Sequence, residues 1–422
     1  SRVPPHQWSV YSASAMSQMD PEGYGGLMQN PMTGKRPTSK QVALALPQMP
    51  ADFINAYVLG SVGFTSSITG ACASFLYNLA AAVSRMRAGQ CRVAVVGVSE
   101  APLVPEIIEG YAAMNALATD ANLARLDGAD AADLTRASRP FGDNCGFTLA
   151  ESAQFVVLMA DALAMELGAD VHGAVPDVFI AADGVKTSIS APGPGNYLTM
   201  ARAVGCAAAI LGDEAVRQRS FVHAHGSSTP KNRVTESLIL DRVAGAFGIE
   251  TWPVTGIKSA VGHSLGAASG DQLASALGSF AWGIVPGIKT IETVANDVAR
   301  DHLDIRCTDL DAGPLDLAFI NSKGFGGNNA SAPVISAGCA ARMLERRHGA
   351  KAAARWQALR DNARAAAADY DAAMRRGTLP AIYRYGEPVI GDDDIGVSRD
   401  AVTLPGDRSV ALGIANPYPD MV

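Results

Sequence analysis

The sequence predicts an α/β protein in which helices and strands alternate along most of the chain. Two observations predict this fold class. Apolar residues recur at helical spacing in some segments and form short continuous runs in the segments between them. The 422 residues are 48% hydrophobic and 18% charged and include 42 glycines, which is typical of a globular chain with a sizeable core. The alternation favours a wound α/β architecture over separate all-α and all-β domains.

Charge and cysteine spacing exclude several classes of protein. The 34 Lys and Arg residues and 41 Asp and Glu residues leave a formal charge of -7, which argues against a nucleic-acid partner. The six cysteines are widely spread and lack the close spacing of a metal site, so we expect a reducing compartment and no metal. The first residues lack the apolar core of a secretion signal, and the most apolar stretch is too short to span a bilayer. We therefore expect a cytoplasmic protein without membrane insertion.

The first clear pair of elements surrounds Cys72. Residues 64–71 are rich in β-branched and hydroxyl side chains, residues 72–87 carry apolar side chains at helical spacing, and residues 92–98 form a short apolar run. This pattern places Cys72 where a strand turns into a helix. Unpaired N–H groups and the helix dipole favour an anion there, so we expect the pKa of the Cys72 thiol to lie below its free value of about 8.5.

Further elements continue the alternation. Residues 138–159 are predicted to form a glycine-containing loop that leads into a buried strand. The same pattern predicts a helix at 160–167, a strand at 175–182, a loop at 188–197 and a strand at 221–224. These elements extend the α/β pattern through the middle of the chain.

The last part of the chain has a different character. Residues 341–376 are rich in alanine and arginine and carry apolar side chains on one helical face, so we predict a single long surface helix. From residue 378 onward, prolines, glycines and an acidic run at 392–394 predict an extended arm that packs on the body or on a second subunit. A solvated tail is the alternative interpretation.

One cysteine and two histidines stand in three separate short motifs. These motifs are GACAS at 70–74, HAHGSSTP at 223–230 and KSAVGH at 258–263. Cys72 can supply the soft nucleophile that holds an acyl group as a thioester, and His225 and His263 can supply donors that face a developing enolate oxygen. Taken alone, a cysteine is more often a small buried hydrophobic residue, and a histidine is more often a core or surface group.

In these motifs the chain resembles the β-ketoacyl synthases, the condensing enzymes of fatty-acid and polyketide synthesis, over about residues 8–336. The nucleophile motif of the family is similar to GACAS, and its HGTxTP and KSxxGH motifs are similar to HAHGSSTP and KSAVGH. Its SRPF, GFxxGEG and GFGGxN segments resemble SRPF at 138–141, GFTLAES at 146–152 and GFGGNN at 324–329. The motifs also occur in the family's order and spacing.

The resemblance implies a role for each matched residue. Cys72 is the implied acyl-accepting nucleophile, His225 and His263 are the implied enolate donors, and Lys258 belongs to their supporting network. The backbone N–H groups of Cys72 and Phe325 are the implied oxyanion hole, with Phe325 also acting as a gate. The implied pantetheine-binding hydroxyls and the implied buried glutamate of a structural network are Ser227, Thr229 and Glu151. A second histidine, rather than asparagine or cysteine, indicates the decarboxylating branch of the superfamily.

The resemblance also implies a fold and partners. It implies a thiolase-like five-layered αβαβα sandwich of two similar halves, residues 1–168 with the nucleophile and residues 169–340 with the histidines, followed by a helical and extended addition at 341–422. The active site is expected between the halves. The implied partners are acyl carrier protein, acyl-CoA and a second copy of the chain in a homodimer. The substrates are carried on phosphopantetheine of the carrier protein or of coenzyme A, and no metal or redox cofactor is implied.

The chain also departs from the family pattern. Arg233 follows Asn232 where the family usually has aspartate, and AES at 150–152 replaces GEG. The family normally opens with a strand and helices before the segment that resembles residues 10–20, and we expect that this chain is the ordered part of a longer protein. Its other likenesses are to free-standing bacterial initiating synthases with long C-terminal additions and to synthase domains of fungal-type multienzymes.

The predicted function is an acyltransferase reaction, the decarboxylative Claisen condensation of an acyl thioester with malonyl-acyl carrier protein in fatty-acid synthesis. The initiating step from acetyl-CoA is one form of this reaction, and an elongating or polyketide-type ketosynthase is an alternative. A thiolase or acyltransferase would transfer acyl groups without releasing carbon dioxide. A non-catalytic subunit resembling a chain-length factor is the remaining alternative, and Cys72 argues against it. The basic excess in residues 341–376 suits an acidic carrier protein, with an ordinary solvated helix as the alternative.

Overall fold

A computed structural model describes residues 3–188, 191–380, 382–386, 389–406, 408–413, 415–416 and 418–421. Two residues of the loop predicted at 188–197 and several residues of the predicted arm therefore lie outside the described residues. In the described part of the chain, most strands belong to two sheets, with helices between the sheets and on their outer faces.

The first sheet has the strand order β2-β1-β3-β4 in the described residues. β3 is apolar up to its last two residues, Ser99 and Glu100, and lies in the centre, where both of its faces are covered. β1 runs parallel to β2 and β3, whereas β4 runs antiparallel to β3. The strands are β1 (Trp8–Ala13), β2 (Thr65–Ser66), β3 (Val93–Glu100) and β4 (Ser152–Met159).

The second sheet has the order β10-β8-β7-β12-β13-β5 in the described residues, and β6 also pairs with β13. Its strands are β5 (Gly173–Ala174), β6 (Phe179–Ala182), β7 (Ser220–His223), β8 (Trp252–Thr255), β10 (Leu303–Ile305), β12 (Leu317–Gly324) and β13 (Asn328–Ser336). β9 (Ile284–Val285) and β11 (Leu310–Asp311) form a separate short pair. The strand predicted at 175–182 is confined to β6, because Pro176 lacks the N–H group that a ladder needs.

The helices connect and cover these sheets. In the described residues they are α1 (Tyr24–Met32), α2 (Ser39–Leu44), α3 (Met49–Ile54), α4 (Ser74–Arg87), α5 (Pro105–Ala113), α6 (Asp120–Asp127), α7 (Asp161–Leu167), α8 (Gly195–Leu211), α9 (Asp213–Gln218), α10 (Pro230–Ala246), α11 (Lys258–Val261), α12 (Ala268–Trp282), α13 (Ala337–His348) and α14 (Ala350–Arg375). None of the described helices combines the length and the hydropathy that a membrane span needs.

α4 and α12 form a central layer between the two sheets. α4 packs against β1 and β3 on one side and against β13 on the other, while α12 packs against β4 and β12. Phe75 and Leu79 of α4 share one buried cluster with Val96 of β3 and with Ile320 and Val334 of the second sheet. α8 and α10 cover the outer face of the second sheet, and α3 and α7 lie on the first. The layers therefore follow the order helix, sheet, helix, sheet, helix.

The single helix predicted at 341–376 is wrong. Two helices, α13 and α14, are separated by Gly349, whose φ of 85° is a backbone conformation that glycine adopts easily. Trp356 of α14 is buried, and its Nε1 donates to the carbonyl of Ala169 at 2.9 Å. Tyr370 and Met374, which were predicted on the same covered face, are exposed because the second half of α14 extends beyond the body.

The C-terminal arm contacts the body near residues 383–384. The Tyr383 ring stacks on Phe53 with the ring centroids 5.6 Å apart, and the Arg384 N–H donates to the Tyr57 carbonyl at 2.8 Å. Farther along, three short strands form an antiparallel sheet; they are β14 (Gly396–Val397), β15 (Ala401–Leu404) and β16 (Arg408–Ala411). The arm thus returns to the half that contains the nucleophile.

Candidate active site

Cys72 lies in the tight turn that leads into α4. The strand predicted at 64–71 is limited to β2, and the helix begins at Ser74, two residues after the cysteine. Ala71 has a φ of 50°, a left-handed conformation that costs a residue with a side chain about 1–3 kcal/mol. The Ser74 hydroxyl donates to the Ala71 carbonyl at 2.6 Å and accepts from the Gly70 N–H at 2.9 Å. The turn is therefore held by its own residues.

The end of β12 approaches the nucleophile from the second half of the molecule. The Ser322 hydroxyl donates to the Cys72 carbonyl at 3.0 Å. Gly324 is necessary for this approach, since a Cβ at that position would collide with the carbonyl of Gly70. The backbone N–H groups of Cys72 and Phe325 both hydrogen-bond to the Cys72 sulfur. The two halves thus bring together the two amides that the sequence assigned to an oxyanion hole.

The expected lowering of the Cys72 pKa is wrong. Burial raises the pKa of this thiol to about 11, and the charge of Glu100 adds to the rise. Lys258 and the two backbone amides lower the pKa by less than burial raises it. Position at the start of a helix therefore does not outweigh removal from water, and the thiol keeps its proton at neutral pH.

His263 is fixed by the segment that resembles GFxxGEG. Its N–H donates to the Thr148 carbonyl at 2.7 Å, and its carbonyl accepts from the Ala150 N–H at 3.1 Å. Its Nδ1 accepts from the Leu265 N–H at 3.2 Å, so the ring proton is assigned to Nε2. Burial, together with the charge of Lys258, lowers the pKa of His263 well below 6.5. The imidazole is therefore neutral and has Nε2–H available as a donor.

His225 lies beside His263, just beyond the end of β7. Their ring centroids are 5.4 Å apart, and the ring planes are nearly perpendicular. The His225 N–H donates to Glu236 Oε1 at 2.6 Å, and its carbonyl accepts from the Lys258 ammonium. Burial lowers the pKa of His225 well below 6.5, and the charge of Lys258 lowers it further. Two neutral imidazoles thus stand side by side.

A buried carboxylate that was not among the predicted site residues holds the backbone at His225 and Gly226. Glu236 is fully buried and also accepts from the Gly226 N–H at 2.8 Å and from the side-chain amides of Asn232 at 2.8 Å and Asn321 at 2.7 Å. Burial lowers the pKa of Lys258 to about 8, and Glu236 opposes that shift. A glutamate on the otherwise apolar face of α10 was the available signal in the sequence.

The assignment of Glu151 to this buried network is wrong. Glu151 is exposed, and its carboxylate accepts only at the surface, from the Leu103 N–H at 3.3 Å. It directly precedes β4, in which alternate residues point outward, and it shares the outward face with Phe155 and Val157. Glu236 makes the buried hydrogen bonds that were expected of Glu151.

Aromatic rings form a wall beside Cys72. The Phe325 ring stacks on Tyr111 with the centroids 6.3 Å apart, and Tyr111 meets Phe147 edge-on at 5.3 Å. Phe147 in turn lies edge-on against the His263 ring at 5.2 Å. Phe325 therefore stands where a gate beside the nucleophile was predicted, whereas no motif indicated Tyr111.

The two predicted pantetheine-binding hydroxyls lie together at the start of α10. Ser227 Oγ and Thr229 Oγ1 are 3.0 Å apart and share a hydrogen bond. Arg233, which departs from the family pattern, binds both carboxylate oxygens of Asp297 at 2.8 and 3.0 Å and donates to the Gly142 carbonyl at 3.0 Å. This arginine therefore ties α10 to the loop that follows SRPF.

Comparison with known proteins identifies the family of this chain. Residues 2–164 match the Beta-ketoacyl synthase, N-terminal domain, and residues 172–292 match the Beta-ketoacyl synthase, C-terminal domain. The Beta-ketoacyl-[acyl-carrier-protein] synthase FabY of Pseudomonas aeruginosa is 59% identical over 405 residues, which are 96% of this chain and 64% of that protein. The 3-oxoacyl-[acyl-carrier-protein] synthase 2 of a Synechocystis species is 30% identical over 73% of this chain and 71% of that protein.

Solved structures confirm the predicted fold class. The crystal structure of the ketosynthase FabY from P. aeruginosa matches with a TM-score of 0.97 and 57% identity, covering 100% of this chain and 66% of that chain. The type II polyketide ketosynthase AntDE, solved with its acyl-carrier protein, shares the fold, with a TM-score of 0.66, 23% identity and 79% of each chain covered. The two matched domains and the relatives together show that this chain belongs to the β-ketoacyl synthase family.

Proposed function

We propose that this chain condenses an acyl thioester with malonyl-acyl carrier protein, with loss of carbon dioxide, to give 3-ketoacyl-acyl carrier protein in fatty-acid synthesis. One observation carries the proposal: a thiol that receives two backbone N–H groups lies in the same site as two buried neutral imidazoles. The chain spans 64% of FabY, the relative whose name states a synthase activity. The initiating reaction from acetyl-CoA is the form that we propose.

In the first step Cys72 takes up the acyl group. Its sulfur forms a bond to the acyl carbon, and the bond between that carbon and the sulfur of coenzyme A breaks. The proton of the Cys72 thiol leaves on the sulfur of the released coenzyme A. The amides of Cys72 and Phe325 hold the negative oxygen of the tetrahedral intermediate. Loss of one such donor slows acyl transfer by about 10²- to 10³-fold in other enzymes.

In the second step the malonyl group loses carbon dioxide and becomes an enolate. The electron pair of the broken carbon–carbon bond moves onto the thioester oxygen, which accepts hydrogen bonds from the neutral imidazoles of His225 and His263. The enolate carbon then attacks the acyl-cysteine. The Cys72 thiolate leaves and takes a proton from water, and the 3-ketoacyl thioester remains on the carrier protein.

The carrier and the second subunit are also proposals. Ser227 and Thr229 are suited to bind the pantetheine arm, because their hydroxyls lie together at the start of α10. A homodimer is supported by β4, an edge strand of the first sheet, which exposes Phe155 and Val157. Sedimentation velocity of the wild type and of Val157→Glu tests the homodimer: a dimer that dissociates in the variant supports it, and a wild-type monomer rejects it.

The proposed partner, acyl carrier protein, is expected to be acidic. Residues 341–376 contain nine Lys and Arg and four Asp and Glu, so this segment has a basic excess that would attract such a partner. Four of these basic groups pair with carboxylates of the described residues: Arg342 with Asp316 at 3.6 Å, Arg347 with Asp161 at 3.0 Å, Arg360 with Asp361 at 3.7 Å and Arg364 with Asp170 at 2.8 Å. Lys351 is exposed. Lys351→Glu is therefore expected to weaken carrier binding in a titration, and unchanged affinity would assign these helices no part in docking.

The test of the proposed function is mass spectrometry of malonyl-loaded acyl carrier protein after incubation with this chain. The donors run from acetyl-CoA to long-chain acyl thioesters. A 3-ketoacyl product formed from acetyl-CoA, and absent with Cys72→Ala, is the expected result. A broad donor range would instead assign an elongating synthase. Folded protein that gives no product from any donor would overturn the proposal in favour of a non-catalytic subunit.

A further inference from the structure

Glu100 is a buried carboxylate next to the nucleophile that neither step of the proposed reaction uses. It ends β3 and is 4% exposed. Its oxygens accept from the Ser14 hydroxyl at 3.0 Å and from the backbone N–H groups of Ala15 at 2.5 Å and Met16 at 3.4 Å. A fourth donor is the backbone N–H of Gly266. One carboxylate therefore joins two loops from opposite halves of the molecule.

Both of these loops line the nucleophile. Met16 from the first loop and Leu265 from the second pack in the same cluster as Cys72. Burial raises the pKa of Glu100 to about 7, against the four donors that favour its charged form. At pH 8 the group is therefore mainly an ionised carboxylate, which only accepts hydrogen bonds.

The second loop contains a strained turn immediately after His263. Leu265 has a φ of 49°, a conformation that costs a leucine about 1–3 kcal/mol. Its N–H is the donor to His263 Nδ1, and the next N–H, that of Gly266, is the donor to Glu100. A Cβ at position 266 would collide with Glu100 Oε1, so glycine is what permits the contact. The two successive amides point at the catalytic imidazole and at the carboxylate.

We propose that Glu100 is a positioning residue for His263. By binding the Gly266 N–H, the carboxylate holds the left-handed turn at Leu265, whose amide keeps the proton of the imidazole on Nε2. That proton is the one donated to the enolate oxygen, so the inference rests on the proposed function. Glu100 itself touches neither the acyl group nor the malonyl group.

The substitution Glu100→Gln alters the hydrogen bonds between this side chain and the two loops with little change in side-chain volume. The side-chain amide of glutamine brings N–H donors to a position already surrounded by four donors, so some of these hydrogen bonds are lost. Decarboxylation of malonyl-acyl carrier protein at pH 8 is expected to fall by about 10²-fold, the scale of a small misplacement of a reacting group. Acylation of Cys72 by acetyl-CoA is expected to stay equal or become faster, because the charge of Glu100 raises the pKa of that thiol.

A double-mutant cycle separates positioning of His263 from a general structural role. If Glu100 acts through His263, then Glu100→Gln causes no further loss of decarboxylation in a His263→Ala background. Additive losses in that background would overturn the inference. Glu109→Gln, which removes an exposed carboxylate from α5, is the matched control and is expected to behave as the wild type in both assays.

Gly266→Ala tests the same contact from its other side. The added Cβ displaces the turn from Glu100, so the variant is expected to acylate Cys72 normally and to decarboxylate malonyl-acyl carrier protein slowly. If Glu100→Gln does not fold, this variant provides the test. A Gly266→Ala variant with wild-type decarboxylation would overturn the inference. Folded Glu100→Gln with the wild-type rate of decarboxylation would also overturn the inference, but the proposed function would still stand. A wild type that neither acylates nor decarboxylates would reject both.

Discussion

The nucleophile and the two imidazoles meet in one site but are held there by different means. Cys72 is presented by its own backbone, in a left-handed turn at Ala71 that neighbouring residues close. His225 is held by two buried side chains from distant positions, Glu236 and Lys258, and His263 is held by backbone hydrogen bonds to Thr148 and Ala150. The comparison teaches that the thiol depends on a short stretch of sequence, whereas the imidazoles depend on contacts with residues far along the chain.

Removal of the nucleophile has the largest expected effect and tests whether the two imidazoles function independently of Cys72. Cys72→Ala is expected to abolish acylation and to reduce condensation on the order of 10⁶-fold, as nucleophile removal does in other enzymes. Decarboxylation of malonyl-acyl carrier protein is expected to persist, because other residues hold the imidazoles. Intact-protein mass spectrometry and carbon dioxide release measure the two steps. Cys206→Ala is the control, and loss of decarboxylation in Cys72→Ala would show that the sides are not independent.

Removal of the network carboxylate is expected to reduce stability more than any change on the nucleophile side. Glu236→Ala leaves two backbone amides and the Asn232 side-chain amide unpaired, takes one of two acceptors from the Asn321 amide, and removes the main opposite charge near Lys258. We expect a loss of about 3–5 kcal/mol in the free energy of unfolding, measured by urea denaturation. Exposed Glu250 provides the control, Glu250→Ala, with little change. A loss below about 1 kcal/mol in Glu236→Ala would contradict the network account.

Removal of one imidazole tests whether the histidines act in condensation and not in acylation of Cys72. His263→Ala is expected to retain acylation of Cys72 and to lower condensation by about 10²- to 10³-fold, the range for loss of one donor to a developing oxyanion. Single-turnover acylation and steady-state product formation measure the two quantities. His172→Ala, at an exposed position, is the control. Lost acylation with intact decarboxylation of malonyl-acyl carrier protein would reverse the assigned roles.

The pH dependence of Cys72 reactivity has the smallest expected effect. Because burial raises the pKa of the thiol to about 11, the thiolate fraction grows with pH throughout the range below that value. Alkylation by iodoacetamide is therefore expected to rise by about tenfold for each pH unit between about 6 and 9, without a plateau. Subtracting the rate measured with Cys72→Ala isolates this residue. A plateau near pH 7 would mean that the turn lowers the pKa after all.

The same contrast explains which parts of the site could be predicted from the sequence. Cys72, Phe325 and the two histidines could be recognised because they lie in short motifs that resemble those of the family, although distant residues hold the imidazoles. Glu236 and Glu100 act on groups that other segments bring to them, so their roles were missed, although the place of Glu236 on the buried face of α10 was a local signal. The pKa of the thiol also depends on tertiary burial, which a helix start does not reveal.

The fold was predicted to a similar extent. The wound α/β pattern and the strands β3, β4 and β7 followed from the sequence pattern, since strands and helices differ in the spacing of apolar residues. The break at Gly349 was missed because alanine and arginine continue on both sides of it and only the backbone conformation separates the helices. Glu151 was misassigned although the alternation of β4 places that position on the outward face.

The shared central layer has a consequence for synthesis of the protein. The hydrogen bond between Ser322 and the Cys72 carbonyl joins positions that are 250 residues apart. At about 5–20 residues per second, the ribosome needs on the order of 12 to 50 s to make that interval. During this time the inner face of α4 lacks the sheet that finally covers it. The nascent chain therefore exposes the apolar face of α4 for tens of seconds, and we expect a chaperone to bind this helix.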